Sequence, residues 1–412
     1  MILLLGYGIS NKSIAKYLDK IEKDYIIYDD YANKTYVSMD KIDLVIKSGS
    51  FKNEHPLILE AISKGIEVVS DLEYYYRCSN KNKELIVVTG SNGKSTTVSL
   101  IKNILGKSVD LGGNIGYPLF DFINSRKDMI IEASSYMNEY LSKFKAKYYV
   151  ITNLYSNHLE HHDTYNKYIK AKLNLLKNIE HNDFLIYNYD NELLKELVRN
   201  YDCYKIPFSA NKTGNGVFID KNYIYFNQHK IISLKEISLL GNHNLENVLA
   251  SIAVTYCYGT IPSMIKLGIS TFNGIEHRLE RFMVRNNIEV YNDSKATNFM
   301  ALKSALNSFD KKRILLVCGG EKKEDDYNII NDSLKNVKEV IVNGQNREEL
   351  LKYFSNKDVI VKSYPNLKEL LCDKDKLFSE NIDVILFSPG SPSFDQFENF
   401  EDRGRFFKEN ML

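Results

Sequence analysis

A glycine-rich segment with a single lysine directly follows an apolar run. The segment reads Gly90-Ser91-Asn92-Gly93-Lys94-Ser95-Thr96, and the run before it is Leu85–Val88. Glycines at a strand-to-helix turn let backbone N–H groups close around phosphate oxygens. Lys94 would neutralise β- and γ-phosphates, and Ser95 or Thr96 would hold Mg²⁺ through a hydroxyl. The glycine spacing is shorter than in the common P-loop, so a plain turn with a chance lysine is the alternative.

Polar residues after the next two apolar runs suit a divalent cation. Glu132 ends the run Met129–Ile131, and His158 opens a histidine-rich string after the following run. A carboxylate and an imidazole beside a phosphate loop suit a cation that bridges phosphate and substrate. His158, His161 and His162 could instead be a solvated histidine run. Zinc is disfavoured, because no cysteine or second distant histidine is spaced for it.

Two lysines, Lys170 and Lys172, fall on the helix predicted after these histidines. A lysine on a helix face is usually solvated, with its stem along the surface and its ammonium in water. Spacing alone therefore gives Lys172 no role.

A second glycine turn lies at the start of the chain. Gly6-Tyr7-Gly8 follows the apolar run Ile2–Leu5, but Asn11 stands where a dinucleotide fingerprint has its third glycine. Asp29 follows the next predicted strand at roughly the distance of a ribose-binding acid. An NAD site, a site for another nucleotide such as a UDP sugar, and a tight turn without a ligand are all compatible with this pattern.

Two polar strings end predicted strands in the last third of the chain. Asn292–Asn298 surrounds one lysine with hydrogen-bonding side chains, and Ser388–Phe397 follows the run Val384–Phe387. Either string could be a capped turn. Because both are expected at the same edge of one sheet, together they predict a binding cleft.

The elements that must position these residues alternate between strands and helices. Strand–glycine–helix openings at Ile2–Leu5, Leu85–Val88 and Ile314–Val317 predict three parallel α/β sheets. We expect a linker at Cys78–Glu84 and a second boundary near Phe272–Arg278. The predicted domains are therefore residues 1–84, 85–275 and 276–412. A small antiparallel addition to the middle domain is expected at residues 216–232.

Composition excludes several classes of protein. The 412 residues carry a formal charge of +1, so no single-sign field indicates nucleic acid or an anionic membrane as a partner. The five cysteines form no C-x-x-C pair and indicate neither a disulfide framework nor a cysteine zinc site. No apolar run approaches the roughly 18 residues that a membrane span needs. We expect a soluble cytoplasmic protein.

Taken together, these strings resemble the Mur ligase family. The resemblance covers nearly the whole chain in order, and it includes Gly112–Gly116, Leu240–Asn247 and Glu276–Glu280. The string Asn292–Asn298 and the tail from Ser388 to Gly404 resemble the branch that adds D-glutamate. The implied fold is α/β with three domains on largely parallel sheets: Rossmann-like, P-loop ATPase-like and again Rossmann-like.

The resemblance also implies a role for each domain. The first domain would hold the uridine diphosphate end of the substrate, and the implied residues for this substrate include Gly8, Ile9, Ser10 and Asp29. From the middle domain, Asn114 would contact the muramyl part, and His158 is also implied for this substrate. The middle domain would bind ATP through residues 90–96, with adenine, phosphate and ribose contacts from Asn244, Asn247, Arg278 and Asp293. The last domain would bind D-glutamate through Lys295, Thr297, Lys323, Ser393 and Phe400.

For the metal, the resemblance implies two Mg²⁺ ions held by Ser95, Glu132, His158 and a carbamylated Lys172. This replaces the solvated reading of Lys172. With Lys94, the residues Glu132, His158 and Lys172 form the implied catalytic set. Whether Lys322 or Lys323 contacts the amino acid stays open. Ser48-Gly49-Ser50, placed by the resemblance after the first domain's fourth strand, lacks the family's usual proline.

The implied activity is an ATP-dependent, ADP-forming ligation of D-glutamate to UDP-N-acetylmuramoyl-L-alanine through an acyl phosphate, in a monomer. One alternative is another ligase of the family, adding L-alanine, a diamino acid or folate glutamates. A second is a P-loop kinase or regulatory nucleotide-binding protein without ligase activity. An NAD-dependent dehydrogenase, suggested by the first domain alone, is a distant third.

Overall fold

Three sheets organise the chain. The computed structural model describes residues 1–30, 37–156, 158–212, 214–239, 241–323 and 326–412. The sheets have four, nine and six strands, and parallel pairing dominates each of them. The predicted α/β architecture is therefore confirmed. In the described ranges no helix is long and apolar enough to cross a membrane.

The first sheet is fully parallel, with strand order β2-β1-β3-β4. Its strands are β1 (Ile2–Leu5), β2 (Tyr25–Tyr28), β3 (Leu44–Lys47) and β4 (Glu67–Ser70). Its helices are α1 (Ile9–Lys20), α2 (Pro56–Ser63) and α3 (Asp71–Cys78). Ser48 follows β3, which is the third strand in chain order among the described residues.

The central sheet has the order β13-β12-β11-β10-β9-β8-β5-β7-β6. Its strands are β5 (Leu85–Thr89), β6 (Val109–Gly113), β7 (Asp128–Glu132), β8 (Tyr148–Ile151), β9 (Phe184–Asn188), β10 (Tyr204–Ser209), β11 (Val217–Asp220), β12 (Tyr223–Phe226) and β13 (His229–Ser233). Strands β11 to β13 pair antiparallel, as expected, and β11 joins the rest of the sheet through a parallel pairing with β10.

Among the described residues, seven α-helices accompany the central sheet. They are α4 (Lys94–Leu105), α5 (Ser135–Asn138), α6 (Leu159–His162), α7 (Tyr165–Leu173), α8 (Glu192–Leu197), α9 (Asn242–Cys257) and α10 (Pro262–Ser270). The runs β5, β7 and β8 are buried on both faces, which explains why they read as continuous apolar segments.

The third sheet has the order β14-β15-β19-β16-β17-β18, and only its edge pair β14–β15 is antiparallel. Its strands are β14 (Glu280–Arg285), β15 (Ile288–Asn292), β16 (Ile314–Cys318), β17 (Val337–Val342), β18 (Ile360–Ser363) and β19 (Val384–Phe387). Its helices are α11 (Phe299–Leu306), α12 (Arg347–Phe354), α13 (Leu367–Cys372) and α14 (Phe400–Met411).

The chain forms two compact units: the first comprises residues 1–238 and 242–272, and the second comprises residues 239–241 and 273–412. The first unit contains the first two sheets. One hydrophobic core joins them, since Leu4 and Tyr75 of the first sheet's layer belong to the same buried cluster as Val87 and Phe120. The second unit has cores on both faces of the third sheet.

Candidate functional site

The glycine-rich segment forms the turn between β5 and α4. Gly93 adopts a left-handed conformation (φ +83°) and caps the helix that Lys94 begins. Ser91 donates its hydroxyl to the Tyr155 carbonyl over 2.8 Å. The Asn92 backbone N–H donates to Asn153 Oδ1 over 2.9 Å. The segment is thus held in a defined loop at a helix N-terminus, the arrangement that suits a phosphate.

Both glycines are required by close neighbours. A Cβ on Gly90 (φ +148°) would lie 1.9 Å from Thr152 Oγ1, and one on Gly93 would lie 2.1 Å from Asn247 Oδ1. Asn247 is itself oriented, because its Nδ2 donates to Asn244 Oδ1 over 3.1 Å. The structure therefore brings the predicted adenine-contacting residue Asn247 against the predicted phosphate loop.

Two lysines converge on the Gly90 carbonyl oxygen. Lys94 Nζ donates to it over 2.8 Å and Lys172 Nζ over 2.7 Å. Lys172 is 1% exposed, so the reading of it as a solvated surface lysine is wrong, whereas Lys170 is exposed. Burial, with repulsion from Lys94, holds the pKa of Lys172 well below its ordinary value, against the attraction of Glu132.

Glu132 lies at the carboxyl end of β7 and is 1% exposed. Its Oε1 accepts from Asn114 Nδ2 over 2.9 Å, and the Asn114 backbone N–H donates to the Glu132 carbonyl at the same distance. In the described part of the chain no donor reaches the buried Oε2. A buried carboxylate oxygen without a partner is costly, and this one is available to a cation.

The histidine string divides into one exposed and two buried residues. His158 is in a left-handed conformation, lies beside the Tyr136 ring and has a side chain that is 40% exposed. His161 and His162 are buried, so for these two the solvated reading is wrong. His161 Nε2 and His162 Nδ1 lie 3.0 and 3.2 Å from the same oxygen, Glu139 Oε1.

The other oxygen of Glu139 lies 3.2 Å from Lys47 Nζ, at the end of β3. Both side chains are buried, and burial lowers the pKa of Lys47 in spite of the carboxylate. Sequence reasoning missed this ionic network. Lys47 and Glu139 are 92 residues apart, and neither stands in a glycine-rich or histidine-rich string.

A cavity of about 550 Å³ lies between the first two sheets of this unit. Ile9, Ser10, Asn114, Lys47 and His161 are among its lining residues. The structure therefore gathers three of the residues predicted for the uridine substrate around one space. Two further residues predicted for this substrate follow the strands β1 and β2. Gly8, after β1, caps α1, and Asp29, after β2, accepts a hydrogen bond from the Tyr7 backbone N–H over 2.8 Å.

The second unit gathers the C-terminal strings at one sheet edge. Strands β15, β19 and β16 run parallel, with Asn292 beside Phe387, so the loops that follow them leave the same edge. Asp293 is buried in this edge and accepts from Ser388 Oγ over 2.8 Å and from the Leu279 N–H over 3.1 Å. Burial raises the pKa of its carboxyl to about 7.

The residues predicted for the amino acid lie around these loops. Lys295 is exposed, and its Nζ lies 5.3 Å from the centre of the Phe400 ring. Lys323 Nζ reaches the Thr297 carbonyl at 3.4 Å, while the neighbouring Lys322 is ion-paired with Glu349 over 2.6 Å. Ser393 is 2% exposed on the loop after β19.

Arg278, predicted to contact ATP phosphate, is exposed in the second unit. Its backbone N–H donates to the Ile275 carbonyl over 3.0 Å. Leu240, part of one of the matched strings, lies outside the described residues.

Comparison with known proteins identifies the chain's relatives. Residues 88–255 match the Mur ligase middle domain, and residues 277–390 match the Mur ligase glutamate ligase domain. A UDP-N-acetylmuramoylalanine–D-glutamate ligase of Caldicellulosiruptor bescii is 34% identical over 99% of this chain and 96% of its own length.

Solved structures show the same fold at low sequence identity. A UDP-N-acetylmuramoyl-L-alanyl-D-glutamate–2,6-diaminopimelate ligase superposes with a TM-score of 0.62 at 17% identity, over 91% of this chain and 95% of the other. A MurF ligase from Thermotoga maritima, in complex with ADP, gives 0.55 at 16% identity over 90% and 94%. With a close match over nearly its whole length and both family domains in order, this chain belongs to the Mur ligase family.

Proposed function

We propose that this chain is an ATP-dependent ligase that joins D-glutamate to UDP-N-acetylmuramoyl-L-alanine in peptidoglycan precursor synthesis and releases ADP. The observation that carries the proposal is the 34% identity, over 99% of the chain, to a ligase named for that product. The site geometry fits it, since a phosphate loop, a buried carboxylate and a buried lysine lie together at one sheet edge.

ATP binds at the glycine-rich loop. Its phosphates lie against the N–H groups of residues 90–96, with Lys94 countering their charge and Asn244 and Asn247 meeting the adenine. The second unit contributes Arg278 to phosphate and Asp293 to ribose. A relative with the same fold was solved with ADP, which supports a nucleotide role for the family fold.

Mg²⁺ fits the donors that this structure presents. The buried Glu132 Oε2, which no described donor reaches, is a hard oxygen ligand of the kind Mg²⁺ prefers. Ser95 and His158 complete the set, and two ions are proposed. Because burial lowers the pKa of Lys172, its amine is available to take up CO₂ as a carbamate, which replaces a repelling ammonium with oxygen ligands. Bound Mg²⁺ would offset the charge that accumulates on phosphoryl oxygens.

The reaction proceeds by carboxylate activation. A carboxylate is a poor acyl donor, so ATP first phosphorylates the L-alanyl carboxylate and leaves as ADP. The amine of D-glutamate then attacks the carbonyl carbon, forming a C–N bond while the C–O bond to phosphate breaks and the amine loses a proton. Such steps require positioning and charge stabilisation more than covalent help.

The amino-acid site is the edge of the third sheet. Lys295 and Lys323 supply cations for the carboxylates of D-glutamate, Thr297 and Ser393 supply hydroxyls, and Phe400 supplies an apolar wall. The ion pair of Lys322 with Glu349 favours Lys323 as the second cation. The cavity lined by Ile9, Ser10 and Asn114 takes the uridine substrate, together with Gly8, Asp29 and His158. We place the domains at 1–84, 85–275 and 276–412, in a cytoplasmic monomer.

The decisive test is phosphate release with UDP-N-acetylmuramoyl-L-alanine, ATP and a panel of amino acids. We expect release that depends on D-glutamate and on the uridine substrate together. Release driven by a diamino acid, or by L-alanine with the unextended substrate, would move the chain to another branch. ATP turnover that ignores every amino acid would indicate a kinase or regulatory ATPase and would refute the ligase.

A further inference from the structure

Arg403 is a buried cation beneath the loops of the amino-acid site. It lies in the first turn of α14 and is 2% exposed. Its guanidinium donates from Nε to Ser294 Oγ (3.1 Å) and from Nη2 to the Ser294 carbonyl (2.8 Å). Nη1 donates to the carbonyls of Ser391 (2.9 Å) and Pro392 (3.0 Å). One side chain thus ties the loop after β15 to the loop after β19.

Every one of these acceptors is neutral. Among the ion pairs of the described residues Arg403 has none, although the charge of Asp395 attracts it. Burial lowers the pKa of the guanidinium to about 10. A buried charge without a counter-ion is costly, so the hydrogen bonds to these neutral acceptors are what compensate the guanidinium in place.

The tied residues stand next to the proposed ligands of D-glutamate. Ser294 immediately precedes Lys295, and Pro392 immediately precedes Ser393. Ser294 Oγ also donates to the Phe400 carbonyl over 2.8 Å, which adds the start of α14 to the same network. A displacement of either loop would therefore move Lys295, Ser393 and Phe400 relative to one another.

A third loop is packed against the same point. A Cβ on Gly320 would lie 2.4 Å from the Pro392 carbonyl oxygen and 3.1 Å from Arg403 Nη1. The Glu321 N–H donates to the Pro392 carbonyl over 3.0 Å. Gly320 opens the loop that carries Lys323, so the loops bearing both proposed cations meet at Arg403.

We propose that Arg403 is the positioning residue of the D-glutamate site, because it fixes the loops that carry Lys295, Ser393 and Lys323. This inference rests on the proposed function, from which it takes D-glutamate as the substrate. Arginine suits the task because its planar fork donates in several fixed directions, whereas a lysine ammonium is a point charge on a flexible stem.

The test compares Arg403→Ala, Arg403→Lys and the matched control Arg405→Ala. Arg405 is two residues away on α14, is exposed and is ion-paired with Asp402. We expect Arg403→Ala to lower kcat/KM for D-glutamate by about 10²-fold, mainly through KM, since displaced reacting groups cost about that much. ATP affinity in equilibrium titration should not change. Guanidinium ion should partly restore Arg403→Ala, and Arg405→Ala should behave as wild type.

Arg403→Lys keeps the charge and most of the volume, so it tests the proposal if the alanine variant does not fold. We expect it to fold and to show a KM for D-glutamate between those of wild type and Arg403→Ala. An unchanged KM in Arg403→Lys, or a parallel loss of ATP and D-glutamate binding, would overturn the positioning role. So would a lower melting temperature with unaltered kinetics. Failure of the wild type to use D-glutamate at all is a different result, which would refute the proposed function itself.

Discussion

The Gly90 carbonyl oxygen accepts hydrogen bonds from two lysines whose surroundings differ. Lys94 is half-buried at the start of α4, while Lys172 is almost fully enclosed and is attracted by the charge of Glu132. The same residue type therefore has two different environments in one site. The proposed roles follow this difference: Lys94 as a cation for phosphate, and Lys172 as a carbamate.

Lys94→Ala should reduce turnover by at least about 10²-fold, because it removes the cation placed where phosphoryl charge accumulates. The measurement is steady-state phosphate release by a variant whose circular dichroism matches wild type. Lys107→Ala, an exposed lysine just after the same helix, is the control and should retain full activity. Near-normal ligation by Lys94→Ala would show that the loop has been assigned wrongly.

Lys172→Ala should be nearly inactive, and acetate or formate should partly restore it, because either carboxylate supplies the oxygen ligands that a carbamate would provide. The matched control is Lys170→Ala, whose exposed side chain lies on the same helix and should be dispensable. Mass spectrometry of the intact active protein under CO₂ would reveal the carbamate directly. An unmodified Lys172 in a fully active sample would contradict the assignment.

Asp293 should make the second unit less stable as pH rises. Its folded pKa of about 7 exceeds the ordinary 3.8, so the folded state holds the proton more tightly than the unfolded state. The contribution of Asp293 to the free energy of unfolding is complete below pH 4. It is lost as pH rises towards 7, by up to roughly 1 kcal/mol per pH unit. Hydrogen exchange of β15 amides at pH 5 and 7, in wild type and in Asp293→Asn, would measure this loss.

Asp293→Asn should remove that dependence, because an amide stays neutral throughout. Asp383 is the matched control: Arg313 holds its pKa at about 2, so it is ionised in both states across this range. Asp383→Asn should therefore leave the pH dependence of wild type intact. Equal pH dependence in wild type and Asp293→Asn would mean that this carboxyl is already ionised at pH 5.

At the scale of elements, the strand-to-helix turns set where ligands can approach. The carboxyl ends of β5, β7 and β8 place Gly90, Glu132 and Asn153 at one edge, as open parallel sheets do. The left-handed turn at Gly93 aims the N-terminus of α4 along that edge. The ends of these elements, more than their lengths, therefore determine the site.

Gly93→Ala should abolish ATP binding. The new Cβ would collide with Asn247 Oδ1, and the left-handed backbone would add roughly 1–2 kcal/mol of strain. Gly259→Ala is the matched control, because Gly259 also has a positive φ but has open space around its Cβ position. Both variants should lose stability in thermal unfolding, and only Gly93→Ala should lose ATP in equilibrium titration. If both variants lost ATP binding, the loss would be caused by backbone strain and not by the collision with Asn247.

At the scale of the whole molecule, the first two sheets are energetically one body. Buried Glu73 of α3 accepts hydrogen bonds from the backbone N–H groups of Ser142, Lys143 and Phe144. The rings of Tyr74 and Tyr75 pack on Phe120. The first sheet therefore completes its core only against the central one, although the proposed function gives each a different substrate.

We expect a fragment of residues 273–412 to fold alone and a fragment of residues 1–84 to remain unfolded. The first retains its cores on both faces of the third sheet, whereas the second exposes the cluster shared with Val87 and Phe120. Circular dichroism during thermal unfolding would decide, with a cooperative transition only for residues 273–412. A fragment of residues 1–272, which keeps the first two sheets and the helices α9 and α10 that belong to the same unit, is the folded control for the N-terminal part.

The sequence by itself determined the local chemistry of this protein. Apolar runs ending in glycine or polar strings predicted the turns at Gly90, Glu132 and Asp293, because strand ends and left-handed turns are encoded by adjacent residues. The order of those strings was enough to suggest the Mur ligase family. The sequence could not decide whether His161, His162 and Lys172 were solvated, because the burial of a side chain depends on which other elements pack against its helix.

Only the tertiary structure brought together residues that are far apart along the chain. Lys47 and His161 both contact Glu139, and Arg403 contacts Ser294, through packing between elements that no local pattern specifies. Their protonation and their contacts follow from desolvation and from long-range register. These are properties of the packed molecule, because the free energy of a buried charge is set by all its neighbours and not by the few residues beside it in sequence.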